Sequence, residues 1–148
     1  MNRVIITGAG GFIGYALTSR LLDEGVEVYA VVRKQRKQWE QLEQRDNCHV
    51  VVCNLENMAD LDSLITEKGF DAFYHFAWQG VSDNDSTDLK VQLNNVWGTA
   101  KAVETAGRLE CRKFVFASSI MEYELDKLMQ STLPSGERNI YRAAKKMA

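Results

Sequence analysis

The stretch that decides the fold is Thr7-Gly8-Ala9-Gly10-Gly11-Phe12-Ile13-Gly14. It follows a short apolar β-branched run, Val4-Ile5-Ile6. After it, Ile13, Ala16, Leu17 and Leu21 recur at helical spacing, and Gly25 stands where a C-cap would fall. A strand, a glycine-rich turn and a helix in that order suit the binding of a dinucleotide diphosphate. Gly8 permits the tight turn, Gly11 lets the diphosphate approach the backbone, and Gly14 lets the helix pack against the strand. The helix start, with Phe12 and Ile13, offers free N–H groups and the positive end of the helix dipole. The spacing is GxxGxxG rather than GxGxxG, and a glycine-rich turn without a ligand is the plain alternative.

Outward from this turn, strand-like and helix-like segments alternate. Val26 to Val32 reads as a second strand, and Trp39 and Leu42 sit in a charged stretch that reads as a short exposed helix. Val50-Val51-Val52 is a third strand; Leu61, Leu64 and Ile65 form a helical stripe stopped by Gly69; Phe70 to Ala77 is a fourth strand. Leu89, Leu93, Val96, Ala100 and Val103 predict a long amphipathic helix ending near Gly107. Lys113 to Ala117 is a fifth strand, Gln130 to Arg138 with Pro134 reads as a loop, and Ile140 to Ala148 reads as a helix. The expected fold is α/β: a Rossmann-type doubly wound parallel sheet of about five strands in one domain over residues 1–148.

Composition agrees with a folded domain. The 148 residues are 45% hydrophobic and 26% charged, with net charge −2, so the whole chain has no electrostatic bias toward nucleic acid or anionic lipid. No apolar run approaches the ~18 residues of a membrane helix. Cys48, Cys53 and Cys111 lack CxxC spacing and read as reduced packing thiols in a cytoplasmic protein. His49 and His75 lack metal-ligand spacing, so no metal site is proposed; His75 reads as structural or as a neighbour of the cofactor.

The glycine loop, with four later motifs in order, resembles the extended short-chain dehydrogenase/reductase family, the NAD(P)-dependent nucleotide-sugar epimerases and dehydratases. Tyr74-His75-Phe76-Ala77 is similar to the family's fourth-strand motif lining the cofactor. Asn95-Val96-Trp97-Gly98-Thr99 is similar to its Asn-Val-x-Gly-Thr helix. Phe114 to Ser119 resembles the fifth strand ending in the active-site serine, and Tyr141-Arg142-Ala143-Ala144-Lys145 resembles YxxxK. The resemblance implies cofactor contacts at Ala77, Asn95 and Lys145 besides the glycine loop. It implies catalysis by Ser119, Tyr141 and Lys145. Asn54-Leu55 stands where the family has Asp-Leu facing adenine, and an Asn oxygen can still accept from the adenine amino group. Family members are roughly twice this length, with a small substrate-binding domain after the YxxxK helix, so the chain reads as the N-terminal portion of a longer enzyme or as a truncated gene product. The resemblance also implies a homodimer through the 89–106 and Ile140 helices.

Two features refine the reading. The second strand ends Val31-Val32-Arg33-Lys34 with Arg36 and Lys37 close behind, and no carboxylate stands ready for an adenosine ribose 2′-OH. Arg33 can fork onto a 2′-phosphate, which favours NADP and leaves NAD possible; a solvated basic helix start is the alternative. YxxxK occurs twice, at Tyr123–Lys127 and Tyr141–Lys145. Order after the serine motif selects the second pair. A Tyr and Lys at i and i+4 share one helix face, where an ammonium favours phenolate and the phenol can exchange a proton with substrate. Trp78, after Ala77, would contact substrate or shield the cleft. The expected activity is hydride transfer with Tyr-assisted proton transfer on a nucleotide sugar. A reductase of a non-sugar carbonyl, or a non-catalytic NADP-binding regulator, are the alternatives.

Overall fold

The computed structural model describes residues 1–34, 40–81, 85–129 and 139–148. Five parallel strands, β1 (Arg3–Thr7), β2 (Glu27–Val32), β3 (Cys48–Val52), β4 (Ala72–His75) and β5 (Phe114–Phe116), lie in the order β3-β2-β1-β4-β5. The helices are α1 (Phe12–Asp23), α2 (Glu40–Glu43), α3 (Leu61–Leu64), α4 (Leu89–Arg108), α5 (Ile120–Met129) and α6 (Asn139–Met147). 3₁₀ turns at Leu55–Asp60 and Asp85–Thr87 precede α3 and α4.

The central strands are apolar throughout because both sheet faces are covered. Val4, Ile6, Val28, Ala30 and Ala72 pack with Leu21 and Leu22 of α1 and Leu42 of α2. Their neighbours Ile5, Tyr29, Val31 and Phe73 pack oppositely, on Leu55, Met58, Leu61, Ala102, Ala106 and Leu109. Alternation of side chains along each strand thus feeds two cores. Each fully buried Ile or Phe contributes about 1.5–3 kcal/mol. Close backbone approach holds α4 to the 55–60 turn: a Cβ on Gly98 would meet Leu55 Cδ2 at 2.6 Å.

Several expectations shift. Leu42 is buried, 5% exposed, rather than on an exposed helix, and Trp39 lies outside the described residues. The Leu61 stripe yields a single helical turn, with Ile65 extended at its end. Its apolar spacing is shared by the preceding 3₁₀ turn, which also buries Leu55 and Met58. β4 ends at His75, so Phe76 to Gly80 leave the sheet. The expected loop at Gln130 to Arg138 lies outside the described residues. Before it stands α5, a helix not anticipated from the sequence. Among the described residues no helix is long and apolar enough to cross a membrane.

Candidate active site

A cleft of about 490 Å³ opens at the carboxyl ends of β1, β2 and β4, where ligands of open parallel sheets bind. Thr7, Gly8, Gly10 and Gly11 form one wall, Val31 to Lys34 another, and Phe76 to Gly80 a third. Cys53, Leu55 and Met58 also line it. The volume lies within the usual range for small-molecule sites.

The glycine loop is built as its spacing predicts. Gly8 has φ +68°, and a Cβ there would lie 2.6 Å from the backbone of Phe76 and Ala77. A Cβ on Gly14 would collide with the Gly8 carbonyl and Ala9, so α1 sits directly on the turn. A Cβ on Gly11 would meet only the Gly8 oxygen, at 3.3 Å, leaving this face open. Gly11 is the N-cap of α1 and no side chain caps the helix; its first turn carries no acidic residue. These uncapped N–H groups suit an anionic diphosphate. Phe12 and Ile13 side chains are exposed and do not line the cleft.

Of the other expected cofactor residues, Arg33, Leu55 and Ala77 line the cleft, and Asn54 stands between its lining neighbours Cys53 and Leu55. Asn54 Oδ1 is buried without a hydrogen-bond partner. That orphan acceptor fits a ligand amino group. Arg36 and Lys37 lie outside the described residues.

Asn95 is fully buried but does not line the cleft. Its amide accepts from the Gln79 N–H at 2.8 Å and donates to the Gln79 carbonyl at 2.8 Å. Gln92, also buried, donates to the carbonyls of Gly80 (2.9 Å) and Asp85 (3.1 Å). Both side chains position the cleft-lining loop instead of facing the cleft. Gln92 was not singled out from the sequence. The readable signal was a polar set, Gln92, Asn95 and Thr99, at i, i+3 and i+7 along the buried face of α4.

His75 is buried and links this set to the glycine loop. Thr99 Oγ1 donates to the Asn95 carbonyl at 2.9 Å, so its oxygen accepts from His75 Nε2–H at 3.2 Å. His75 Nδ1 then accepts from the Thr7 hydroxyl at 2.7 Å. Donor counting therefore assigns a neutral imidazole. Burial, with the nearby Lys145 charge, pushes its pKa down to about 4.

The three expected catalytic residues come from two regions. Ser119 precedes α5. Its hydroxyl accepts from the Met121 N–H at 3.3 Å, while its own N–H donates to Glu122 Oε1 at 3.0 Å. This is a reciprocal N-terminal cap, readable in the sequence as Ser119-x-x-Glu122. Tyr141 and Lys145 share one face of α6 and both meet Trp78: the Tyr141 ring stands edge-on at 6.0 Å, and Lys145 Nζ lies 3.7 Å from the indole centroid. Lys145 Nζ also donates to the Ala117 carbonyl at 3.0 Å and lies 4.7 Å from the Phe116 ring. Lys145 is 6% exposed, and burial lowers its pKa to about 8, against the opposing field of Glu122. The competing Tyr123 is 59% exposed, with Lys127 over its ring at 4.6 Å.

The strand order, the glycine loop and the cleft at the strand ends define an α/β domain of the Rossmann type. Residues 4–148 match the model of the NAD dependent epimerase/dehydratase family, and the chain belongs to that family. It is 28% identical over 132 residues to a UDP-glucose 4-epimerase of Pisum sativum, covering 82% of this chain and 38% of that protein. The crystal structure of a UDP-galactose 4-epimerase superposes with TM-score 0.74 at 28% identity, over 98% of this chain and 48% of that one. The fold is shared with the Bordetella bronchiseptica enzyme WbmH, solved with NAD+, at TM-score 0.73 and 23% identity, over 99% of this chain and 50% of that one. The chain thus spans half or less of the length of these relatives.

Proposed function

We propose that the chain forms the dinucleotide-binding part of an NAD(P)-dependent epimerase or dehydratase acting on a nucleotide-activated sugar. One observation carries the reading. The Tyr141–Lys145 face of α6 is seated on Trp78, a lining residue of the cleft that begins at the glycine loop. Family membership and the likeness to UDP-sugar 4-epimerases support the substrate class. A bound nicotinamide dinucleotide supplies hydride transfer. The chain's residues bind it and move the proton. The α1 N–H groups at Phe12 and Ile13 receive the diphosphate, Asn54 Oδ1 accepts from the adenine amino group, and Arg33 receives a 2′-phosphate. Tyr141 exchanges a proton with the substrate hydroxyl, Lys145 stabilises its phenolate and holds the nicotinamide ribose, and Ser119 orients the reacting oxygen. Homodimerisation through α4 is supported by its exposed Leu89, Leu93, Trp97 and Val103.

Calorimetric titration of NADP+ and NAD+ tests the cofactor reading. NADP+ should bind more tightly, and Arg33→Ala should weaken NADP+ about 10- to 100-fold while sparing NAD+, as loss of one charged hydrogen bond predicts. Equal affinities in the unmutated protein would overturn the 2′-phosphate role. Binding of neither would overturn the function.

A further inference from the structure

We propose that Trp78 is a positioning residue of this site: its indole face holds the Lys145 ammonium and thereby seats the Tyr141–Lys145 face of α6 on the cleft wall. The proposal rests on the reading of Tyr141 and Lys145 as the proton-transfer pair.

The ammonium needs a counter-charge because water scarcely reaches it. The Ala117 carbonyl supplies one acceptor at 3.0 Å, the Glu122 carboxylate adds a favourable field, and two ring faces lie against the ammonium, Trp78 at 3.7 Å and Phe116 at 4.7 Å. Trp presents the strongest ring field of the aromatic side chains, and the distance is well inside the useful range of about 6 Å. The indole nitrogen does not explain the choice of residue: Trp78 Nε1 is buried without a partner, an arrangement that costs stability. The π face is what Trp offers here over an aliphatic side chain.

The place of the ring is fixed from two directions. It packs on Phe116 at 6.2 Å, and the backbone that follows it is held by Asn95 at Gln79 and by Gln92 at Gly80. One ring therefore joins β5, α6 and the loop after β4. α6 also packs against α5, α4 and the 85–87 turn. Among the described charged and titratable groups, Glu122 of α5 favours the Lys145 charge, and His75 of β4 feels that charge in return.

The test follows the Lys145 side chain itself. Lysine ¹³Cε signals are titrated from neutral to alkaline pH in the unmutated chain, Trp78→Leu and Trp78→Phe, with the Lys145 signal assigned by its loss in Lys145→Arg. Trp78→Leu should move the Lys145 midpoint down by about half to one and a half pH units, because burial stays and the ring field goes. Trp78→Phe should move it less in the same direction. A purely structural indole would alter the melting temperature and leave the midpoint in place; an unchanged or raised midpoint overturns the proposal. If the Leu variant fails to fold, the Phe variant decides by the same criterion. NADP+ titration of the unmutated chain reads the functional assignment separately. Absence of binding there defeats the dinucleotide reading and leaves the Trp78–Lys145 coupling to be judged on the midpoints alone.

Discussion

The Asn95 side chain and the Gln79 backbone exchange two hydrogen bonds of 2.8 Å, one in each direction. This pair holds the cleft-lining loop to α4, since Asn95 is fully buried. Asn95→Ala leaves the Gln79 N–H and carbonyl without those partners. It should cost about 2 kcal/mol in chemical denaturation and speed hydrogen exchange at the Gln79 amide. Asn95→Asp, which sets a buried carboxylate oxygen against the Gln79 carbonyl and Gln92 Oε1, should cost at least as much. Unchanged exchange at Gln79 in the Ala variant would contradict the clamp.

The glycines separate by their surroundings. Gly8 and Gly25 both have positive φ, but only Gly8 is crowded by backbone; nothing lies within 4 Å of a Cβ on Gly25. Gly25→Ala should therefore cost about 1–2 kcal/mol, the left-handed strain alone. Gly8→Ala adds overpacking against Phe76 and Ala77 and should cost about 2–5 kcal/mol. Thermal or urea melts of the two variants, side by side, check the order. Equal losses would show that the crowding at Gly8 relaxes freely.

Burial of His75 makes stability pH-dependent in one window. Its folded pKa, about 4, lies below the ordinary 6.5, so between these values the unfolded chain binds more protons. Stability should then fall as pH drops from 6.5 toward 4, by up to about 3 kcal/mol. Glu27, Asp62 and Asp71, whose partners hold their pKa values below the ordinary 4.5 and 3.8, lose their contribution at lower pH. Denaturation midpoints from pH 6.5 to 5 thus isolate His75. His75→Gln should flatten that part of the curve; an unchanged slope would refute the assignment.

The proposed proton transfer predicts an asymmetry between the two YxxxK pairs. On the whole enzyme, Tyr141→Phe should lower kcat by about 10²- to 10⁴-fold with cofactor affinity nearly intact. Lys145→Ala should reduce both. Tyr123→Phe, on the exposed side of α5, should change little. Ser119→Ala should also cost about 1 kcal/mol of stability through the lost cap, so its rate must be measured well below its melting temperature. Steady-state kinetics decide; a kcat lost in Tyr123→Phe and kept in Tyr141→Phe reverses the choice of pair.

The α/β alternation is legible because parallel strands buried on both faces read as unbroken apolar runs, Val4-Ile5-Ile6 among them; Val50-Val51-Val52 reads the same way although β3 is an edge strand, half-buried, with Val52 exposed. The glycine loop is legible because two of its demands are local, the positive φ of Gly8 and the seating of α1 at Gly14 on the Gly8–Ala9 backbone; the crowding of Gly8 by Phe76 and Ala77 is tertiary. The α5 helix has a local signal in its cap, Ser119-x-x-Glu122, but the same serine ends the fifth-strand motif, so one residue carries two readings. The Leu61 stripe misled because apolar spacing alone does not distinguish a full helix from a 3₁₀ turn continued by one helical turn.

By itself the sequence determined the order of the five strands, the glycine loop and the Tyr141–Lys145 spacing, all properties of neighbours along the chain. Only the tertiary structure decided what those residues meet. The Lys145 ammonium rests between Trp78, Phe116 and the Ala117 carbonyl, and Asn95 turns to Gln79 rather than into the cleft. These contacts join segments brought together when β4 and β5 pair and α4 and α6 pack beside them. The physical reason is burial. Once the sheet closes over an ammonium or an amide, its partner must be whatever polar or aromatic group the fold carries there, and residue order along the chain does not encode that distance.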